Sequence, residues 1–286
     1  MTIQSIDNLI TAIANGQTTR YDWNKITGAS AYALGRWYDL SMLSSMPVAN
    51  AWAGTALNWT ACSEATGNGT QIFGMPHGGN VSPSRKHLLN LNAWSTAATG
   101  VPGTLMLVDM QGYYPGISNN TTSAQTLVGT PSLRYTNGGG VRAFQVQTAA
   151  SGATAQNIAL SYTDQDGNAG STLPVTVAMT ASAIAGTAAN NYGPFLPLAS
   201  GDTGIRSVQT VTMSAANTGT FALVLARPLA TITLSVAGLM TEKDLLNQIP
   251  SLPEIKDGAC LTWLFGSGAA TAASTTFAGG LEVVWG

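Results

Sequence analysis

Charge is what this sequence lacks most. Of its 286 residues, 11 are Lys or Arg and 13 are Asp or Glu, which is 8%, where a soluble domain usually carries about a quarter. With a formal net charge of -2 there is no basic surface from which phosphate binding could release counterions, so no nucleic-acid partner is expected. Weak self-repulsion favours packing against like copies instead. Cysteine is nearly absent too. Cys62 and Cys260 stand far apart in sequence and form neither a disulfide framework nor a metal knuckle, so both read as buried thiols. With only His77 and His87 available as imidazole bases, nucleophilic catalysis has little to draw on. The Pro76-His77-Gly78-Gly79 run has no Gly-x-Ser-x-Gly elbow to serve.

Long apolar runs are missing as well. The most apolar window, Phe221 to Met240, is broken by Arg227 and Pro228, so no membrane partner is expected. The opening residues lack the basic and continuous apolar segments of a secretory leader, and none is expected. Asp164, Asp166 and Asn168 have the oxygen spacing of the front of a calcium loop, but the acidic residue that would close it is absent, and an Asp-Gly hairpin tip accounts for the segment. Neither cofactor nor metal is expected, and the chain does not read as an enzyme.

What is present is mostly β texture. The exception comes first: Ile3, Ile6, Leu9, Ile10 and Ile13 recur at helical spacing, with Thr2 placed to cap the front and Gly16 just past the end. This predicts a docking helix. From residue 17 to about 69 the periodicity fades while Trp23, Trp37, Trp52 and Trp59 accumulate, which predicts an irregular arm. Its indoles either pack onto the chain's own body or anchor a neighbouring subunit, as interface tryptophans do. Beyond residue 70, short Val, Ile, Leu, Thr and aromatic runs alternate with Gly, Asn and Pro, the pattern of a sandwich or barrel. A hairpin is expected from 158–163 to 172–180. The Thr-Glu-Lys-Asp run at 241–244 resembles a capping box and predicts a second short helix ending before Pro250.

An ordered series of similarities points to internal duplication. Met75-Pro76 and Arg85 match Leu196-Pro197 and Arg206; 91–110 lines up with 212–228, 131–146 with 250–265, and 157–162 with 279–285. The expectation is a mainly β chain of two tandem related units of β-sandwich or jelly-roll type, 71–190 and 191–286, preceded by the helix and arm of residues 1–70. The two matched arginines are expected to be buried ties between loops.

Several segments resemble structural proteins of tailed-phage virions: DWNKITG at 22–28, GRWYDL at 35–40, VSPSRKHLLNLNAWS at 81–95, SYTDQDGNAG at 161–170, PFLPLASGDTGIRSVQ at 194–209 and the terminal Val-Val-Trp-Gly. The resemblance is to accessory capsid proteins of the decoration or cement type. It implies a non-enzymatic protein on the outer capsid surface of a virion, with the major capsid protein and further copies of itself, as a homotrimer, for partners. Candidate capsid or subunit contacts are Ile3, Ile6, Leu9, Ile10, Ile13, Trp23, Trp37 and Trp52. Two other readings stand beside it: a tail or head–tail connector component, and a carbohydrate-binding, host-recognition protein using Trp23, Trp37, Trp52, Trp59, Tyr113 and Tyr114 as stacking surfaces.

Overall fold

The structure is a computed structural model that describes residues 3–64, 74–98, 101–188, 193–249 and 251–286. It is mainly β, with one α-helix, α1 (Ile6–Ala14), among the described residues. Nine longer strands build it: β1 (Thr18–Ile26), β2 (Lys86–Ser95), β3 (Gly103–Ser118), β4 (Arg142–Ala149), β5 (Asn157–Asp164), β6 (Ile205–Met213), β7 (Thr220–Leu234), β8 (Leu261–Ser267) and β9 (Thr276–Trp285).

The strands form three antiparallel sheets. A central sheet runs β8-β3-β7-β4, with Trp37–Asp39 added at the β8 edge. One outer sheet is β2-β9-β1, extended by Thr241–Asp244 beside β2 and Ser44–Met46 beside β1. The other outer sheet pairs β5 with β6, extended by Ser171–Thr172 and Gln125–Thr126. The long central strands β3 and β7 serve all three cores. Leu105, Leu107 and Ile232 pack with Trp23, Leu91, Phe277 and Trp263 in the first. Tyr114, Ile117, Phe221 and Leu223 pack with Ile158, Leu160, Tyr162 and Val208 in the second. Val108, Met110 and Val224 pack with Phe144, Trp52 and Cys62 in the third. Irregular pairing near Leu225–Ala226 and Pro228–Ala230 adjusts the side-chain phase along β7, so one strand can feed different cores.

The two stretches 71–190 and 191–286 do not close as separate sandwiches, because every sheet draws strands from both. Their connectivity is nonetheless reciprocal. Replacing β2, β3, β4 and β5 by β6, β7, β8 and β9, and the reverse, returns the same pairings: β3 with β7, β8-β3 for β4-β7, and β2-β9 for β6-β5. The strand starts Lys86, Gly103, Arg142 and Asn157 are answered in order by Ile205, Thr220, Leu261 and Thr276 at nearly constant spacing. The last strand of each set crosses to the first strand of the other.

Three local expectations need correction. The arm opens with a regular strand, β1, whose Arg20, Asp22 and Asn24 face away from the core while Trp23 and Lys25 are buried; the inward lysine obscured the period-two pattern. Residues 241–244 form a strand, because the free edge of β2 pairs with their backbone, and Asp244 Oδ1 instead accepts from Leu246 N at 2.7 Å to start a 3-10 turn. Pro250, expected to stop a helix there, lies outside the described residues. Arg85 and Arg206 are exposed, and other cations tie the loops together. The expected hairpin does form: Ser171 and Thr172 pair with Tyr162 and Ser161 of β5.

This interlocking predicts that a chain ending at residue 190 does not fold. It would leave β2 without β9 and β5 without β6. Such a fragment is expected to show no cooperative unfolding transition and a poorly dispersed amide NMR spectrum; a cooperative transition would mean that the first stretch is a domain in its own right.

Candidate functional site

Of the eight candidate contact residues, the structure separates those available to a partner from those already spent. Helix α1 is capped by Ser5, whose Oγ accepts from Asn8 N at 3.2 Å; the expected cap, Thr2, lies outside the described residues. Ile3 and Leu9 are buried with Ala12 in the first core, and Ile3 lies beside the terminal Gly286. Ile6, Ile10 and Ile13 are 58%, 59% and 48% exposed. Their i, i+4, i+7 spacing puts them in one row along the outward side. Trp23 packs on Trp263 with ring centroids 5.2 Å apart, and Trp52 packs edge-on against Tyr113 at 4.7 Å. Both belong to the chain's own cores. Trp37 is half-buried and lies over Gly266, where an added Cβ would approach its ring to 2.9 Å. The six aromatics considered as sugar-stacking surfaces therefore form no common exposed patch: Trp59 is half-buried against Tyr114, which sits in the second core.

The arm is held by two buried charges that sequence reading passed over. Lys25 Nζ donates to the carbonyls of Leu43, at 3.1 Å, and of Pro47. Asp39 accepts from Ser41 N and Oγ at 2.9 and 2.6 Å and from Trp52 Nε1 at 3.1 Å. Burial pushes the Asp39 carboxyl up to about 6, against those hydrogen bonds and the charge of Lys25. Burial likewise pushes the Lys25 ammonium down to about 8, with Asp39 opposing the shift. These groups give up hydration to organise a loop.

A second polar assembly joins the middle of β3 to the segment before β4. Arg134 grips Asp109 with Nη2 at 2.5 Å and Nε at 3.2 Å, and it also donates to the carbonyls of Cys62 and Met110. Asp109 Oδ1 accepts from Cys260 N at 2.9 Å as well. Both cysteines are buried free thiols, as expected from the sequence. The third assembly centres on His77. Lys86 Nζ donates to His77 Nδ1 at 2.8 Å and to the Gly79 carbonyl. The imidazole proton must then sit on Nε2, which faces the Ala259 carbonyl at 2.9 Å and Glu64 at 3.4 Å. Burial, followed by the neighbouring Lys86 ammonium, holds the His77 pKa below its ordinary value. Every nitrogen of this imidazole is engaged in fastening a loop, so it has no free base to offer a substrate.

Asp164 spends its oxygens on its own hairpin tip, accepting from the backbone N of Asp166 and Asn168 and from Asn168 Nδ2. Among the described residues no group of three His, Cys, Asp or Glu side chains is placed to hold a metal, and no helix is long and apolar enough to cross a membrane.

The chain matches no protein family and no curated protein. Among solved structures, that of infectious bursal disease virus Gx strain aligns at 10% identity over 94% of this chain and 81% of the other, with a TM-score of 0.22. The infectious bursal disease virus VP2 subviral particle aligns at 11% identity over 93% and 80%, with a TM-score of 0.17. Scores this low do not establish a common fold.

Two expectations follow from the buried charges. Arg134→Met strands a desolvated carboxylate at Asp109 and should cost roughly 3–5 kcal/mol, read as a lowered urea midpoint; a loss within the range of a surface substitution would show that the pair is not load-sharing. For His77 the folded pKa is depressed, so below the unfolded value of about 6.5 the unfolded chain takes up a proton that the folded chain refuses. Its contribution is full above that pH and falls with acidification by up to about 1.4 kcal/mol per pH unit. The stability gap between wild type and His77→Gln should accordingly shrink between pH 7 and pH 5, whereas parallel profiles would assign the imidazole no such part.

Proposed function

We propose that this chain is an accessory virion protein of the decoration or cement type, which covers the outer surface of a tailed-phage head and stabilises contacts between major capsid subunits as a trimer. The carrying observation is the outward row of Ile6, Ile10 and Ile13 on a helix already fastened to the body through Leu9 and Ala12. Three exposed isoleucines in line are an unsatisfied apolar surface rather than scattered exposure. Their helix is short and capped at its start, with nothing in its last turn to repel an apolar partner: no basic residue stands there.

The rest of the chain suits that role physically. A surface with few charges loses little hydration when it is packed between subunits. An interlocked body whose cores all draw on one central ladder resists being pulled apart piecemeal. Binding across several capsid subunits would stabilise the assembled shell by mass action, and a trimer would add avidity to individually weak contacts. The resemblance to virion proteins noted in the sequence is in keeping with this, and the reciprocal strand order favours a duplicated unit as its origin. In a threefold assembly, two related halves per chain would present six similar edges to a capsid lattice.

The outward row provides the test. Ile6→Asn, Ile10→Asn and Ile13→Asn together leave the buried residues of the helix untouched, so the isolated protein should keep its melting temperature. Its occupancy on particles lacking the wild-type protein should fall at least tenfold, measured by quantitative mass spectrometry of purified heads. Full occupancy by the triple variant would overturn the assigned contact.

A further inference from the structure

We infer that the outer face of the β2-β9-β1 sheet carries a saccharide-binding groove built around Trp94. The groove follows from register. Across the three strands, Asn24 of β1 stands opposite Ala278 of β9, which stands opposite Trp94 of β2; one step along, Asp22 faces Gly280, which faces Asn92. The two outward positions of the middle strand thus carry a methyl group and a hydrogen, while both flanking strands carry large side chains. The result is a trench with β9 as its floor, a cavity of about 440 Å³ lined by all of these residues except Gly280, by Arg20 and Gly279, and by Trp23, Met46 and Met240, so that most of its wall is apolar. That volume falls in the range of small-ligand sites. A Cβ on Gly280 would meet only the ends of the exposed Asp22 and Arg20 side chains, at 2.8 and 3.1 Å, and these can move aside.

The chemistry of the walls selects the ligand. Trp94 is a half-buried indole on one side of the trench, an apolar surface for the C–H face of a pyranose ring. Opposite it, the exposed side chains of Asp22 and Arg20 pair at 3.2 Å, which sets an acceptor beside a donor. Asn24 Oδ1 is held by Ser45 Oγ at 2.6 Å and Met46 N at 3.0 Å, and this turns the amide so that Nδ2 remains without a partner among the described residues. Alternating donors and acceptors next to an aromatic face match vicinal hydroxyls, each of which both donates and accepts. An anion would meet Asp22 and a cation would meet Arg20, so an uncharged sugar suits the groove best.

Asn92 adds a further polar group. The residue is 7% exposed and lines the trench. Its amide is open to solvent at the wall of the cavity, where a ligand hydroxyl can take the place of water. Trp94 and Asn92 lie apart from the isoleucine row of α1, so this site and the shell contact stand or fall separately.

The test uses the full-length protein and a named panel: glucose, galactose, mannose, N-acetylglucosamine, rhamnose and their homodisaccharides, each titrated by saturation-transfer NMR and by calorimetry. At least one neutral sugar should bind saturably. Trp94→Ala and Asn92→Ala should each weaken that binding at least tenfold, Trp94→Phe should weaken it less because a ring remains, and the melting temperature of Asn92→Ala should stay at the wild-type value. Absence of saturable binding across the panel would overturn the assignment. So would binding that survives Trp94→Ala and Asn92→Ala undiminished, or binding confined to sulfated or uronic saccharides and abolished by salt.

Discussion

The antiparallel ladder between β3 and β7 is the constraint on which the remaining structure depends. It runs from Gly103 opposite Leu234 to Ser118 opposite Thr220, and side chains from these two strands enter all three cores. Neither outer sheet has a core of its own without them. The buried Asp109 sits in the middle of this ladder, and its grip on Arg134 and Cys260 N ties two distant stretches of chain to the same point. A protein built this way gains its cohesion from contacts of very long sequence separation. Loop closure then precedes most of the stabilising burial, which makes folding slow relative to helical proteins of similar stability.

The reciprocal exchange of strands changes how a duplicated sequence should be read. Two copies in tandem ordinarily give two bodies joined by a linker, but here the last strand of each set completes the sheet begun by the other. Similarity between 157–162 and 279–285 was legible because each is the last strand of its set and carries short runs of Ile, Leu and Val. The crossing over was not legible, since pairing partners leave no mark on composition or period. The helix shows the same limit on a smaller scale. Five apolar residues at helical spacing read as one face, yet α1 starts only at Ile6, and Leu9 and Ala12 face inward while Ile6, Ile10 and Ile13 face outward. What looked like a single stripe is two, and only one of them is open to a partner.

The buried charges were equally hard to anticipate, for a physical reason. Lys25, Lys86 and Arg134 act through their reach to backbone carbonyls of loops distant in sequence, and those carbonyls are invisible in the amino-acid letters. In a chain with 24 charged residues, six of the eleven cations, Lys25, Lys86, Arg134, Arg36, Arg142 and Arg227, are buried or half-buried and donate to loop carbonyls. The surface is left correspondingly bare. The same scarcity that argued against nucleic acid thus also describes a molecule that holds its irregular segments with individual ammonium and guanidinium groups, and presents few charges to its neighbours.

On this account the molecule meets other bodies at two places: an apolar row on α1 suited to a protein lattice, and a largely apolar, aromatic-walled trench with a few polar groups on the outer sheet, suited to a small neutral ligand. The first carries the central claim, that the chain covers a capsid. Its most direct test is the number of copies per purified particle, relative to the major capsid protein, with heads and tails separated before quantitative mass spectrometry. A copy number comparable to that of the capsid subunit, confined to heads, is the predicted result. A handful of copies, or recovery with the tails, would contradict it.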